Sequence, residues 1–433
     1  MLIYADLYSE RKLLYQKITL DNGLRLITAP MPHTHSVSIG LFIGAGSRHE
    51  SESQAGISHF IEHICFKGTQ KRPTAMKVSA AIEGVGGIIN GGTDKELTVY
   101  WCKIAKPHFH LALDVLTDMI LTSRFDPADI EKERQVIIEE ISTSNDMPAQ
   151  RVVMLIDELL WPEHPLGRDI AGSKESVSAI DRDMLLDYLA NKYQPRNTVL
   201  AIAGDIQHRE TVSAAKNTLG NWNNRLPDFE YPAYQECLAR RLKIETRDTE
   251  QVQLCLALPG LPFLHPRRFA LDLLNVVLGE GMSSRLFAEI RDKLGLAYNI
   301  SSYVDHFLDT GSLIIGAGVE IKNLRLALEA ILEQLSRLKE AIPGSELTKA
   351  REFAKGRLLL RMEDSRSVVG WMGGQEILTN QILSVDEVVS VIDAVTVGEL
   401  QQLAREILVG DKLRLAVVGP VPQDEPLEEL LKL

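Results

Sequence analysis

The sequence has 433 residues, 45% of them hydrophobic and 24% charged. That is the balance of a globular protein, so disorder and a fibrous repeat are excluded, and roughly 100 to 200 residues per domain gives about two to four domains. The formal net charge is -12 and no long run of Lys and Arg occurs, which excludes a phosphate-tracking stripe and with it nucleic acid as a partner. Four widely spaced cysteines without a C-x-x-C pair fit neither a disulfide framework nor a thiolate zinc site. No stretch reaches the ~18 apolar residues of a membrane span, and the opening lacks a sustained apolar run. The expected location is the cytoplasm.

The opening alternates as strands do, over 17–20, a turn at Asp21-Asn22-Gly23, 24–29 and then 37–43. From Gly56 to Ile64 the spacing becomes helical, with Ile57, Phe60, Ile61 and Ile64 as an apolar stripe that predicts a buried helix. A strand pair at 87–90 and 97–104 follows, then helices over 107–121 and 127–144, a helix at 184–192, and an apolar strand at 198–203 running into Gly204-Asp205. Residues 221–236, rich in Asn, Pro and aromatics, have no period and read as a linker. The order then recurs: strands within 242–257, a helix at 266–278, strands at 297–305 and 311–318, a helix at 322–339 and a long helical region from 345. A helix at 397–408 and a strand at 413–418, running into Gly419-Pro420, close the chain. The expectation is an α+β protein of two homologous units, each a mainly antiparallel sheet layered with helices. Their limits are 1–222 for a metal-bearing unit, 223–240 for a linker and 241–433 for a unit without metal.

The chemistry concentrates in the first unit. His59 and His63 are four residues apart, so both imidazoles leave the helix on one side and can share an ion, with Glu62 on the neighbouring edge. Two neutral imidazoles suit Zn²⁺, and a carboxylate that does not ligate can take a proton from water at the ion. A lone histidine on an apolar face is more often a satisfied core residue, so a third ligand is required. The helix 127–144 offers candidates: Ile130, Ile137 and Ile141 set its buried face, Glu133 and Glu140 lie on one flank of it, and Glu139 faces solvent. Buried carboxylates demand a partner; pairing with Lys132 or Arg134 competes with metal binding.

The text H-x-x-E-H at His59–His63, followed by 76 residues and Glu140, with HFIEHICFKGT and ERQVIIEEI around it, resembles the inverzincin peptidases, the family of pitrilysin, insulin-degrading enzyme and the mitochondrial processing peptidase. The resemblance implies one Zn²⁺ per chain held by His59, His63 and Glu140, Glu62 as general base, and Glu133 as an acid behind the ligands. It also implies that Asn90 lies on a strand edge lining the site, where Gly91 replaces the usual Ala. Arg291 and Tyr298, in a stretch similar to the family's R-x-x-x-G-x-x-Y, would hold the substrate carbonyl and stabilise the oxyanion. The glycine-rich 278–285 lacks the spacing of a phosphate loop. The segment 268–278 carries Asp272 and Asn275 where the first unit has its histidines. Family members of this length resemble half of a clamshell that encloses peptides or unfolded, presequence-like segments and works in pairs. A zinc endopeptidase acting as a homodimer is therefore expected. The competing expectations are a heterodimer with a related chain and a non-catalytic or partner-dependent subunit.

Overall fold

The computed structural model describes residues 15–223, 233–237 and 240–433. The first sheet is built from β1 (Gln16–Thr19), β2 (Arg25–Pro30), β3 (Ser36–Ile43), β4 (Ile88–Thr93), β5 (Thr98–Ala105) and β6 (Thr198–Gly204), in the order β1-β2-β6-β3-β5-β4. Only β2 and β6 run parallel; the other neighbours are antiparallel. The second sheet has β7 (Leu242–Thr246), β8 (Val252–Pro259), β9 (Ala297–His306), β10 (Gly311–Val319) and β11 (Arg414–Gly419), in the order β7-β11-β8-β10-β9. Again one pair, β7 with β11, is parallel, and the rest are antiparallel. With β1 set aside, the orders correspond strand for strand: β2 with β7, β6 with β11, β3 with β8, β5 with β10, β4 with β9. The protein is α+β, and its duplication is one of topology.

The β1–β2 hairpin closes on Gly23 at φ 91°, a left-handed turn position that glycine takes without strain. β2 does not pair with its sequence neighbour β3, because β6 lies between them. All seven residues of β6 are buried, which accounts for its unbroken apolar text: a strand covered on both faces shows no alternation. On one face Leu200 and Ile202 join the main core with Leu113 and Leu116 of the helix Phe109–Thr122. On the other, Val199, Ala201 and Ala203 meet Val368, Val369 and Met372 of the helix Ser365–Thr379.

Neither compact unit is a contiguous half of the chain. One comprises the described residues of Met1–Ile141, Asp169–Pro232 and Leu358–Glu387; the other comprises those of Ser142–Arg168, Ala233–Arg357 and Val388–Leu433. The helix Pro148–Leu160 packs on β8 and β11, and the helix Ser365–Thr379 packs on β3 and β6, so each half of the sequence lends one helix to the other half's sheet. The division 1–222 and 241–433 does not show this exchange, because an amphipathic helix declares that it has an apolar face and not which sheet will cover it. The linker 223–240 lies largely outside the described residues. The helical region expected from 345 is three helices, Gly344–Arg361, Ser365–Thr379 and Val385–Ala394. The Asp364 carboxylate accepts the amide of Ser367 at 3.0 Å and starts the second of them. Among the described residues no helix is long and apolar enough to cross a membrane.

Candidate functional site

The helix Ile57–Cys65 carries the H-x-x-E-H text. It begins at Gly56, whose φ of 93° and closeness to Ala171 O, 2.4 Å from where a Cβ would stand, admit no larger residue. Ile57, Phe60, Ile61 and Ile64 are at most 1% exposed, as the stripe predicts, and they anchor the helix so that His59, Glu62 and His63 look outward. The second helix, Pro127–Asp146, is fixed by Ile130, Ile137 and Ile141, each at most 3% exposed. Its phase delivers Glu133 and Glu140 to one flank and turns Glu139 away; of the two flank carboxylates only Glu133 is buried, the Glu140 side chain being 48% exposed, so burial alone does not demand a partner for it.

Donor atoms of His59, His63 and Glu140 all lie within 4.8 Å of one another. Glu140 Oε2 is 3.9 Å from His59 Nε2 and 3.8 Å from His63 Nε2. Ligands about 2.1 Å from a tetrahedral zinc sit roughly 3.4 Å apart, so small side-chain movements would bring these donors onto an ion. The donor set, two imidazoles and one carboxylate, is also the one zinc takes when a fourth position is kept open. His63 Nδ1 lies 3.1 Å from Glu133 Oε2; that contact places the proton on Nδ1 and turns the Nε2 lone pair toward Glu140. The other oxygen of Glu133 receives Lys67 Nζ at 2.7 Å. A carboxylate only 2% exposed thus has both oxygens paired, one with an imidazole N–H and one with an ammonium group that supplies the opposite charge. Lys132 and Arg134, the partners weighed from sequence, do not supply that charge: Arg134 bonds Glu131 and the carbonyl of Val177. His59 differs from His63, since its buried Nδ1 has no hydrogen-bond partner. Desolvation, reinforced by His63, pushes its pKa down to about 4 and keeps the ring neutral and ligand-competent at pH 7.

Glu62 does not join the donor group. Its Oε2 accepts the hydroxyl of Thr93 at 2.7 Å, and burial raises its pKa above the ordinary carboxylate value while the Thr93 bond opposes the rise. A carboxylate with increased proton affinity beside three metal donors is equipped as a base. Thr93 ends β4, which among the described residues pairs with β5 alone and so forms an edge of the sheet. Asn90 is exposed on that strand, its side-chain oxygen accepting the amide of Gly91 at 2.9 Å. A Cβ at Gly91 would stand 3.0 Å from Glu62 Cγ and Oε1 and 3.1 Å from Phe66, so the glycine leaves room for the Glu62 carboxylate. Sequence reasoning missed Thr93 and Lys67; neither belongs to a spacing pattern, and only the fold brings them to the carboxylates they serve.

In the other unit, Arg291 sits in the wide helical turn Phe287–Lys293, a π-type geometry that recurs at functional sites. Its guanidinium lies 4.8 Å from the Phe287 ring centre and 5.5 Å from that of Tyr298. Tyr298 is 76% exposed and is not a core tyrosine. The helix Arg268–Leu278 stands where the histidine helix stands in the first topology; there Asn275 and Asp272 bond Ser302 and His306.

Residues 25–174 match the family model for Insulinase (Peptidase family M16), and residues 179–353 match that for the Peptidase M16 inactive domain. Over 409 residues the chain is 35% identical to a protein of Bacillus subtilis (strain 168) named uncharacterized zinc protease YmxG, covering 94% of this chain and 98% of that one. The chain belongs to peptidase family M16. Solved structures of the same fold include a protease from Helicobacter pylori, with a TM-score of 0.87, 21% identity and 95% and 100% of the two chains covered. A peptidase M16 inactive domain from Pseudomonas fluorescens has a TM-score of 0.88 at 18% identity, covering 96% of this chain and 100% of its own. In this M16 chain the histidine helix and the Glu133–Glu140 helix fall within the stretch matching Insulinase, whereas Arg291 and Tyr298 fall within the stretch matching the inactive domain.

Proposed function

We propose that this M16 chain is a zinc-dependent endopeptidase. The observation that carries the reading is the convergence of His59, His63 and Glu140 beside a carboxylate, Glu62, that Thr93 holds clear of the donor group. His59, His63 and Glu140 would hold one zinc ion per chain, with Glu133 orienting His63. When bound, zinc supplies Lewis-acid chemistry, lowering the pKa of water to about 7 and polarising a carbonyl. Glu62 takes the proton of the attacking water and delivers it to the leaving amine. Arg291 and Tyr298 donate to the carbonyl oxygen as charge develops there. The edge strand β4, with Asn90, accepts an extended peptide as an added strand, which selects peptides and unfolded segments over folded proteins. Because one chain carries both the metal group and the Arg291/Tyr298 pair, a homodimer enclosing its substrate is sufficient. Four free cysteines, three of them buried, suit the reducing cytoplasm.

A second reading is favoured by one observation, the match of residues 179–353 to an inactive domain: the chain serves as a partner-dependent subunit. The purified chain, assayed alone for zinc content and for cleavage of an unstructured peptide, separates the two. Cleavage by the zinc-bearing chain alone supports the endopeptidase; full zinc without cleavage until a related chain is added supports the subunit.

A further inference from the structure

The segment between β3 and the histidine helix holds two buried charges that the endopeptidase reading does not use. Gly56 offers no side chain to cap the helix, and the first N–H groups of any helix lack partners within it. The Glu50 carboxylate, 4% exposed, fills that role from outside: Oε2 accepts the amide of Gly56 and Oε1 that of Ser58, each at 2.8 Å. Two residues earlier, Arg48 is fully buried and donates to Glu96 Oε1 at 2.9 Å. Its backbone amide reaches Lys95 O at 2.7 Å, and that of Ser47 reaches Asp94 O at 3.2 Å. Asp94, Lys95 and Glu96 form the turn between β4 and β5, directly after Thr93, the residue that bonds Glu62. Residues 47–50 therefore bond the helix carrying His59, Glu62 and His63 on one side and the hairpin carrying Thr93 on the other.

We infer that Glu50 and Arg48, with Glu96, are positioning residues that set the spacing of the histidine helix and the β4–β5 hairpin, and through Thr93 the position of the Glu62 carboxylate. The inference rests on the reading of Glu62 as the base. Buried charges hold geometry firmly because any displacement leaves one of them unpaired in a poorly solvating interior. A shift of the hairpin relative to the helix lengthens the Thr93–Glu62 bond before it disturbs the histidines, which share one helix. Loss of the tie should therefore lower turnover while zinc binding persists.

The test is a double-mutant cycle in the zinc-loaded full chain, with kcat and KM measured per zinc-bearing molecule for Glu96→Gln, Thr93→Val and both together. Glu96→Gln should lower kcat roughly tenfold with KM within about twofold, and in the Thr93→Val background its effect should shrink to under about twofold. Additive losses, or a lowered melting temperature with kcat unchanged, would overturn the inference. Should Glu96→Gln fail to fold, Glu50→Gln takes its place in the cycle with the same expectations. Amide exchange provides a readout independent of turnover: Glu50→Gln should speed exchange over 88–98 as well as over 56–65. Acceleration confined to 56–65 would contradict the tie. Absence of hydrolysis by the zinc-loaded wild-type chain would contradict the endopeptidase reading itself, and exchange would still decide whether helix and hairpin move together.

Discussion

Glu140 and Glu139 are neighbours in sequence, yet helical phase sends one toward His59 and His63 and the other away. Glu140→Gln should abolish stoichiometric zinc as read by elemental analysis, and Glu139→Gln should retain it; equal loss in both would mean that the helix does not present its flank as described. That discrimination was legible from sequence because Ile130, Ile137 and Ile141 fix the phase unaided. Lys67 was not, since it lies just past the end of the histidine helix while its partner Glu133 lies on the helix Pro127–Asp146, and no local pattern couples them. His49 gives a residue-scale pH dependence away from the donor group. Burial, aided by nearby Lys192, lowers its pKa from the ordinary 6.5 to about 4. The unfolded chain therefore takes up this proton at higher pH than the folded one, and the stability involved is intact above pH 6.5 and falls away as pH drops toward 4, by roughly 3 kcal/mol at most. His49→Gln, which keeps an acceptor for the Gly46 amide, should flatten the loss of stability in that window; an unchanged acid limb in urea titrations would exclude His49 as its source.

Among elements, the exchanged helix Ser365–Thr379 shows how close packing assigns a helix to a sheet. A Cβ at Gly373 would stand 2.1 Å from Phe42 Cε2, whereas one at Gly374 would meet nothing within 4 Å. Alanine gains up to ~1 kcal/mol over glycine inside a helix, but overpacking costs about 1–3 kcal/mol, so overlap wins at the first position and propensity at the second. Gly373→Ala should lower the melting temperature and Gly374→Ala should raise it or leave it unchanged; the reverse order would contradict the packing of this helix on β3. Sequence pattern located most strands to within two residues at their ends because alternation and turn glycines are local. It did not reveal that β6 would part β2 from β3, or that Pro148–Leu160 and Ser365–Thr379 would change places, because those outcomes depend on contacts between residues hundreds of positions apart.

For the whole molecule, that exchange alters what can be cut away. A fragment of residues 1–222 lacks Val368, Val369 and Met372, which cover Phe42, Val199 and Ala201, and it retains Pro148–Leu160 without β8 and β11. It should therefore be unfolded or aggregated alone and become ordered only when mixed with the remainder, as followed by circular dichroism. An independently folded, monomeric fragment would contradict the exchange. The proposed homodimer should appear at about twice the chain mass in size-exclusion light scattering, and a fully active monomer would exclude it. Whether Glu62 activates water beside a zinc ion held by His59, His63 and Glu140 is decided by the turnover of an unstructured peptide by Glu62→Gln and wild-type chains at equal zinc content. Each protein should hold about one zinc, and kcat should fall by several orders of magnitude in the variant; a zinc-loaded Glu62→Gln chain that cleaves at the wild-type rate would mean that Glu62 is not the base.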